Sequence, residues 1–95
     1  MRNRYLVSYD IADPKRLHKV AKICEGFGVR LQYSVFECLL DGLGYQRLHN
    51  QLFTTIKHTE DQVLFVALGP ESGKSQDRYE SIGLPMISQT RITVV

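Results

Sequence analysis

Nowhere in these 95 residues does an apolar run approach the roughly 18 consecutive positions that a membrane-spanning helix requires. The opening Met1-Arg2-Asn3-Arg4 leads directly into a strand-like segment, without the apolar stretch and small-residue cleavage site of an export signal, so a cytoplasmic location is expected. Cysteine is scarce: Cys24 and Cys38 stand apart among apolar neighbours, which argues against both structural zinc and a disulfide framework. A glycine-rich phosphate loop, a Ser/His/Asp set and a Cys/His pair are also absent. Carboxylates remain as the groups able to carry chemistry. The net charge of +2 is too small to announce a polyanion partner.

The charge is nevertheless unevenly placed. Arg2, Arg4, Lys15, Arg16, Lys19, Lys22 and Arg30 outweigh Asp10, Asp13 and Glu25 in the first third, while the remainder is slightly acidic. Such a segment can form a phosphate-binding face, or its lysines can simply be solvated. A chain of this length buries only about two thirds of its unfolded surface, so association with a second copy would help it.

Tyr5 to Ile11 is rich in β-branched and aromatic residues and predicts a strand that turns polar at Asp10. Asp13-Pro14 reads as a helix start, with Asp as cap and Pro at the first helical position. Leu17, Val20, Ala21, Cys24 and Phe27 then recur at helical spacing as a buried stripe, and Lys15, Lys19 and Lys22 share another face. Gly26 and Gly28 are expected to stop this helix at positive φ. The strand-like residues 29–40 can hold one long strand or two short ones, and the broken alternation at Tyr33-Ser34 favours a hairpin there. Asp41 to Gly44 is expected to be a turn. Tyr45, Leu48, Leu52, Phe53 and Ile56 mark a second helix, ending near Lys57-His58. Gln62 to Leu68 is a clear strand, residues 69–89 are mostly loop, and Arg91 to Val95 is a short terminal strand.

With the hairpin, the order is the ferredoxin-like βαββαβ pattern plus a C-terminal strand, an α+β fold in a single domain spanning 1–95. Val63, Phe65 and Ala67 should face one side of the sheet and Leu64, Val66 and Leu68 the other, so both faces of that strand are apolar. Two helices can cover only one of them. The simplest cover for the other is a second copy, sheet against sheet, as a homodimer.

Asp10 closes the first strand beside the basic start of a helix. Mg²⁺ is commonly held by one or two carboxylates, waters and phosphate oxygens, and two copies meeting near this strand end would supply a pair. The plainer reading makes Asp10 a turn residue, and Asp13 is read as a cap. Phe36, inside a strand, is expected in the core, whereas Tyr9 can fill the core or stack on a base. Ser34 can donate to a phosphate but is also a commonplace turn residue. His18, His49 and His58 lack metal-ligand spacing and are assigned no role.

Residues 5–11, Tyr-Leu-Val-Ser-Tyr-Asp-Ile, and residues 28–38, which contain Gln32-Tyr33-Ser34-Val35-Phe36-Glu37, together resemble the two signature stretches of the CRISPR-associated Cas two family. The likeness extends over the length and element order of the chain. The resemblance implies a homodimer in which residues 90–95 pair with the partner's sheet and Asp10 is a metal-linked aspartate contributed by each copy. It places Tyr9, Arg16, Arg30, Ser34 and Phe36 in the active-site region, and puts Lys19 where some members have Arg, which removes a bidentate fork. With Lys15, Arg16, Lys22 and Arg30, Lys19 is expected to contact nucleic acid. The resemblance further implies Mg²⁺ or Mn²⁺, endonuclease activity on single-stranded RNA or double-stranded DNA, and a spacer-acquisition role holding double-stranded prespacer DNA with the Cas one integrase. A toxin ribonuclease of the VapD type and a non-catalytic ferredoxin-like dimerisation module are the alternatives.

Overall fold

A computed structural model describes residues 1–71 and 80–84. Its elements follow the order β1 (Asn3–Asp10), α1 (Pro14–Glu25), β2 (Gly28–Gln32), β3 (Val35–Leu40), α2 (Gly42–Thr55) and β4 (Gln62–Pro70). The strands form one antiparallel sheet in the order β2-β3-β1-β4, the ferredoxin-like arrangement expected from the sequence. The expected terminal strand at 90–95 lies outside the described residues, as does most of the expected loop at 69–89.

Alternation along the strands sends Val7, Tyr9, Phe36, Cys38 and Leu40 to one face, where they pack with Val20, Cys24, Leu48 and Leu52 of the helices. These residues are buried. Arg4, Leu6, Ser8 and Asp10 point to the other face. There Leu6 stands opposite Val66 and Glu37, and Ser8 opposite Leu64 and Val35. Neither helix covers this second face, and Leu64 is 53% exposed and Val66 38%.

Asp13 caps α1 as expected, its carboxylate accepting from the Arg16 N–H at 2.9 Å, and the hairpin turns at Tyr33-Ser34. Elsewhere the local reading needs correction. Gly26 adopts ordinary helical angles, φ −75° and ψ −12°, and Gly28 begins β2 without positive φ. Close approach is what requires glycine at 28: a Cβ there would collide with the Glu37 carbonyl oxygen and lie 2.6 Å from Cys38 Sγ. Asp41 to Gly44 is the start of α2 rather than a turn, because the Asp41 side chain accepts from the Gly44 N–H at 2.7 Å and caps the helix. That helix stops at Thr55, short of Lys57-His58.

Leu17 and Phe53, expected in the buried stripes, are 41% and 56% exposed because both lie on the borders of their helices' apolar faces. The alternation of β4 also breaks. Tyr5 pairs with Ala67 but Arg4 with Gly69, so Leu68 is an extra residue in a bulge, and Gly69 takes φ 101° beside it. Ala67 is consequently exposed and Leu68 half-buried, the reverse of a regular strand.

Candidate nucleic-acid cleft

β1 delivers two adjacent side chains to opposite sides of the sheet. Tyr9 turns into the core, 5% exposed, and Asp10 turns out to solvent. Past this strand end lies a cleft of about 580 Å³, within the range of ligand-binding clefts. Its floor is Tyr9, Asp10 and Ile11; Pro14, Leu17, His18 and Ala21 of α1 form one wall, and Arg30, Tyr33 and Ser34 form the other.

The hairpin wall is tied to the floor twice. Tyr9 N–H donates to the Ser34 carbonyl at 3.0 Å, and its hydroxyl donates to the Tyr33 carbonyl at 3.2 Å. Burial raises the Tyr9 hydroxyl above the usual phenol range, which keeps it a donor at neutral pH. The Arg30 guanidinium lies 5.1 Å from the centre of the Phe36 ring and 3.5 Å from Glu25 Oε2, two contacts that hold its cation at the cleft edge.

The structure thus gathers Tyr9, Asp10, Arg30 and Ser34 around one cleft. Phe36 is fully buried beneath Arg30, so it supports the site from the core. Arg16 is directed elsewhere: Nε donates to Asp61 Oδ2 at 2.8 Å and Nη2 to Glu60 Oε1 at 3.1 Å. Lys15, Lys19 and Lys22 are exposed on the solvent side of α1, outside the lining of the cleft.

Three residues at or behind this site are given no role from the sequence. Asp61, on the turn before β4, accepts from Arg16, from the Ala12 N–H at 2.9 Å and from the Lys57 N–H at 2.8 Å. Its side chain is fully enclosed, and these bonds, Arg16's foremost, hold it well below the usual carboxylate range. It staples the β1–α1 loop, the first turn of α1 and the α2–β4 turn together immediately behind Asp10. His18 and Tyr33 line the cleft itself. His18 shares a helical stripe with Pro14, Leu17 and Ala21, and that spacing is the one pattern that could have found it.

Among the described residues of one chain, no three His, Cys, Asp or Glu side chains gather to hold a metal ion. Asp10 contributes one carboxylate per copy, so a hard cation held there would be completed by phosphate or water oxygens or by a second carboxylate from another copy.

Fold and cleft define a ferredoxin-like α+β protein with a solvent-open carboxylate at the tip of its first strand. More particularly, the chain belongs to the family of CRISPR associated protein Cas2, whose sequence profile matches residues 2–75. It is 40% identical over 70 residues to the CRISPR-associated endoribonuclease Cas2 of Geobacter sulfurreducens, covering 74% of each chain. It is 34% identical over 91 residues to CRISPR-associated endoribonuclease Cas2 3 of Synechocystis, covering 96% of each. The crystal structure of Streptococcus pyogenes Cas2 superposes with a TM-score of 0.75 at 35% identity, over 84% of this chain and 99% of that one. Among the described residues no helix is long and apolar enough to cross a membrane.

Proposed function

We propose that two copies of this chain pack open sheet face to open sheet face and act in CRISPR spacer acquisition, holding double-stranded prespacer DNA together with the Cas one integrase. The observation that carries this reading is the register of β1. Asp10 lies on the same uncovered face as Leu6, whose neighbours Val66 and Leu64 are apolar and exposed. Burying those residues in a homodimer removes apolar surface from water and carries the two Asp10 carboxylates toward the shared axis. Among the described residues β4 is the last strand in the sheet order, and its outer edge is open to a further strand.

Within that dimer each residue has a task. Asp10 of both copies would hold Mg²⁺ or Mn²⁺ against a phosphodiester, and the ion would supply an activated water and charge for the phosphoryl oxygens. Arg30 and Ser34 orient the phosphate, while Lys15, Lys19 and Lys22 supply a long-range cationic rim. Tyr9 and Phe36 hold the hairpin and Arg30 in place, and Arg16 acts through Asp61 by positioning the first turn of α1. Hydrolysis of single-stranded RNA or double-stranded DNA is a second activity of this site, supported by the endoribonuclease names of the relatives. Family membership leaves the toxin-type reading without support of its own.

Asp10→Asn separates the two roles. Loss of Mg²⁺-dependent cleavage with an intact dimer and unchanged spacer integration is the expected result. Reversing the charge of Lys15, Lys19 and Lys22 should weaken duplex binding and flatten its salt dependence. A wild-type chain that is monomeric at micromolar concentration, and binds duplex no better than the charge-reversed variant, overturns the proposal.

A further inference from the structure

We infer that Tyr33 is a stacking platform for one unpaired nucleobase, placed at the cleft so that a single-stranded segment is read beside Asp10. The inference rests on the reading of this cleft as a nucleic-acid site and names the form of strand it prefers.

Tyr33 is 86% exposed, an unusual position for a large aromatic ring in a small domain. Its backbone is nevertheless fixed. The Tyr9 hydroxyl holds the Tyr33 carbonyl at 3.2 Å, the Tyr9 N–H holds the next carbonyl at 3.0 Å, and the β2–β3 ladder resumes on either side, with Gln32 paired to Val35. A ring presented from an anchored turn has only its two side-chain torsions left to order when a base stacks on it.

The surroundings complete a nucleotide site. Arg30 and Ser34 share the Tyr33 wall, where a cation and a hydroxyl suit a phosphate, and His18 stands across the cleft. No hydrogen bond or ring contact within the described residues engages the His18 imidazole, leaving its nitrogens available to a base edge or sugar hydroxyl. A volume of about 580 Å³ is large enough to admit a nucleotide. Base pairs inside a duplex are stacked on both faces and cannot offer one to Tyr33, so along a strand the site selects an unpaired base.

The test uses the full chain carrying Asp10→Asn, so that no probe is cut. Three probes are titrated at one salt concentration: a single-stranded oligoribonucleotide and a single-stranded oligodeoxyribonucleotide, each carrying 2-aminopurine, and a DNA duplex whose two ends are closed by non-nucleotide linkers, so that no base face is free. Adding Tyr33→Ala should weaken single-strand binding roughly ten-fold and abolish the stacking quench of 2-aminopurine. Tyr33→Phe should preserve both, and duplex affinity, melting temperature and oligomeric state should not change. Whichever single-stranded probe the chain retaining Tyr33 binds more tightly identifies the sugar the site prefers.

Unaltered single-strand affinity and quench in Tyr33→Ala overturn the inference, while the functional reading stands if the duplex still binds. Equal loss of duplex affinity, or dissociation of the dimer, also overturns it, because Tyr33 would then serve the backbone contact or the interface. If the Asp10→Asn chain binds none of the probes, the functional reading fails and takes the inference with it.

Discussion

Arg16 and Asp61, 45 residues apart in sequence, meet at 2.8 Å and lock the start of α1 to the turn that precedes β4. The contact is two-pronged, since Arg16 Nη2 also donates to Asp61 Oδ1 at 3.2 Å. The Asp61 carboxylate has no exposed surface and also accepts from two backbone N–H groups, so removing its charge leaves several donors aimed at it with one acceptor fewer.

Asp61→Asn should therefore lower the melting temperature at neutral pH and reduce any cleavage activity, through displacement of the loop carrying Ala12. The sign of its pH dependence follows from the lowered folded-state value. The contribution of Asp61 is complete above the unfolded carboxylate range, about pH 4, and is lost as acid titrates the folded group below it. Melting of both chains across acid pH should show their difference narrowing only below about pH 4. A gap already closing near pH 6 would contradict this assignment.

Gly28→Ala should destabilise the protein by about 1–3 kcal/mol, because the added methyl group meets the Glu37 carbonyl and Cys38 Sγ across the β2–β3 pair. Gly42→Ala is the matched control. Nothing lies within 4 Å of the Cβ it would add. Chemical denaturation of the two variants side by side should separate them clearly, the control staying close to wild type.

Tyr9→Phe removes one hydroxyl and keeps the ring. It should cost about 1 kcal/mol, the typical net value of a neutral hydrogen bond, and should loosen the turn at Tyr33-Ser34. Faster amide exchange in residues 33–35 is the expected readout. A Tyr9→Phe protein with the wild-type exchange pattern would show that the backbone bond from Tyr9 N–H to the Ser34 carbonyl suffices alone.

Cys24 and Cys38 are fully buried, and burial pushes both thiols up to about 12. They should resist alkylation at pH 8 in the native state and react fully after denaturation. Raised folded values stabilise the native state below the unfolded thiol value of about 8.5, and that stability declines as pH rises above it. Rapid native-state modification would mean that the core opens easily.

Leu64→Glu with Val66→Lys tests the open face. Both residues project from the uncovered side of β4, so the substitutions should leave the fold intact and convert a dimer to monomer. Light scattering reports the mass and circular dichroism the fold. A dimer unaffected by both changes would place the interface elsewhere.

The sequence alone determined the element order, because apolar periodicity and end signals are local. Asp13-Pro14 marks the start of α1, and the broken alternation at Tyr33-Ser34 marks the hairpin. The β-branched and aromatic run that turns polar at Asp10 also placed that residue at the close of β1, and the paired motifs around Asp10 and Phe36 pointed to the family to which the chain belongs. Where local chemistry was ambiguous, it misled: Asp41 to Gly44 carries turn residues but starts a helix, and Gly28 serves an inter-strand contact invisible along the chain.

Only the tertiary structure decided which charges neutralise one another and which face the cleft. Arg16 looked available for phosphate until Asp61 was brought to it from the far end of the fold, while His18 and Tyr33 acquired a setting only when α1 and the hairpin closed around Asp10. The physical reason is range. Helix and strand formation obey spacings of a few residues, whereas ion pairs and clefts depend on distances in space between segments whose separation in sequence says nothing about their contact.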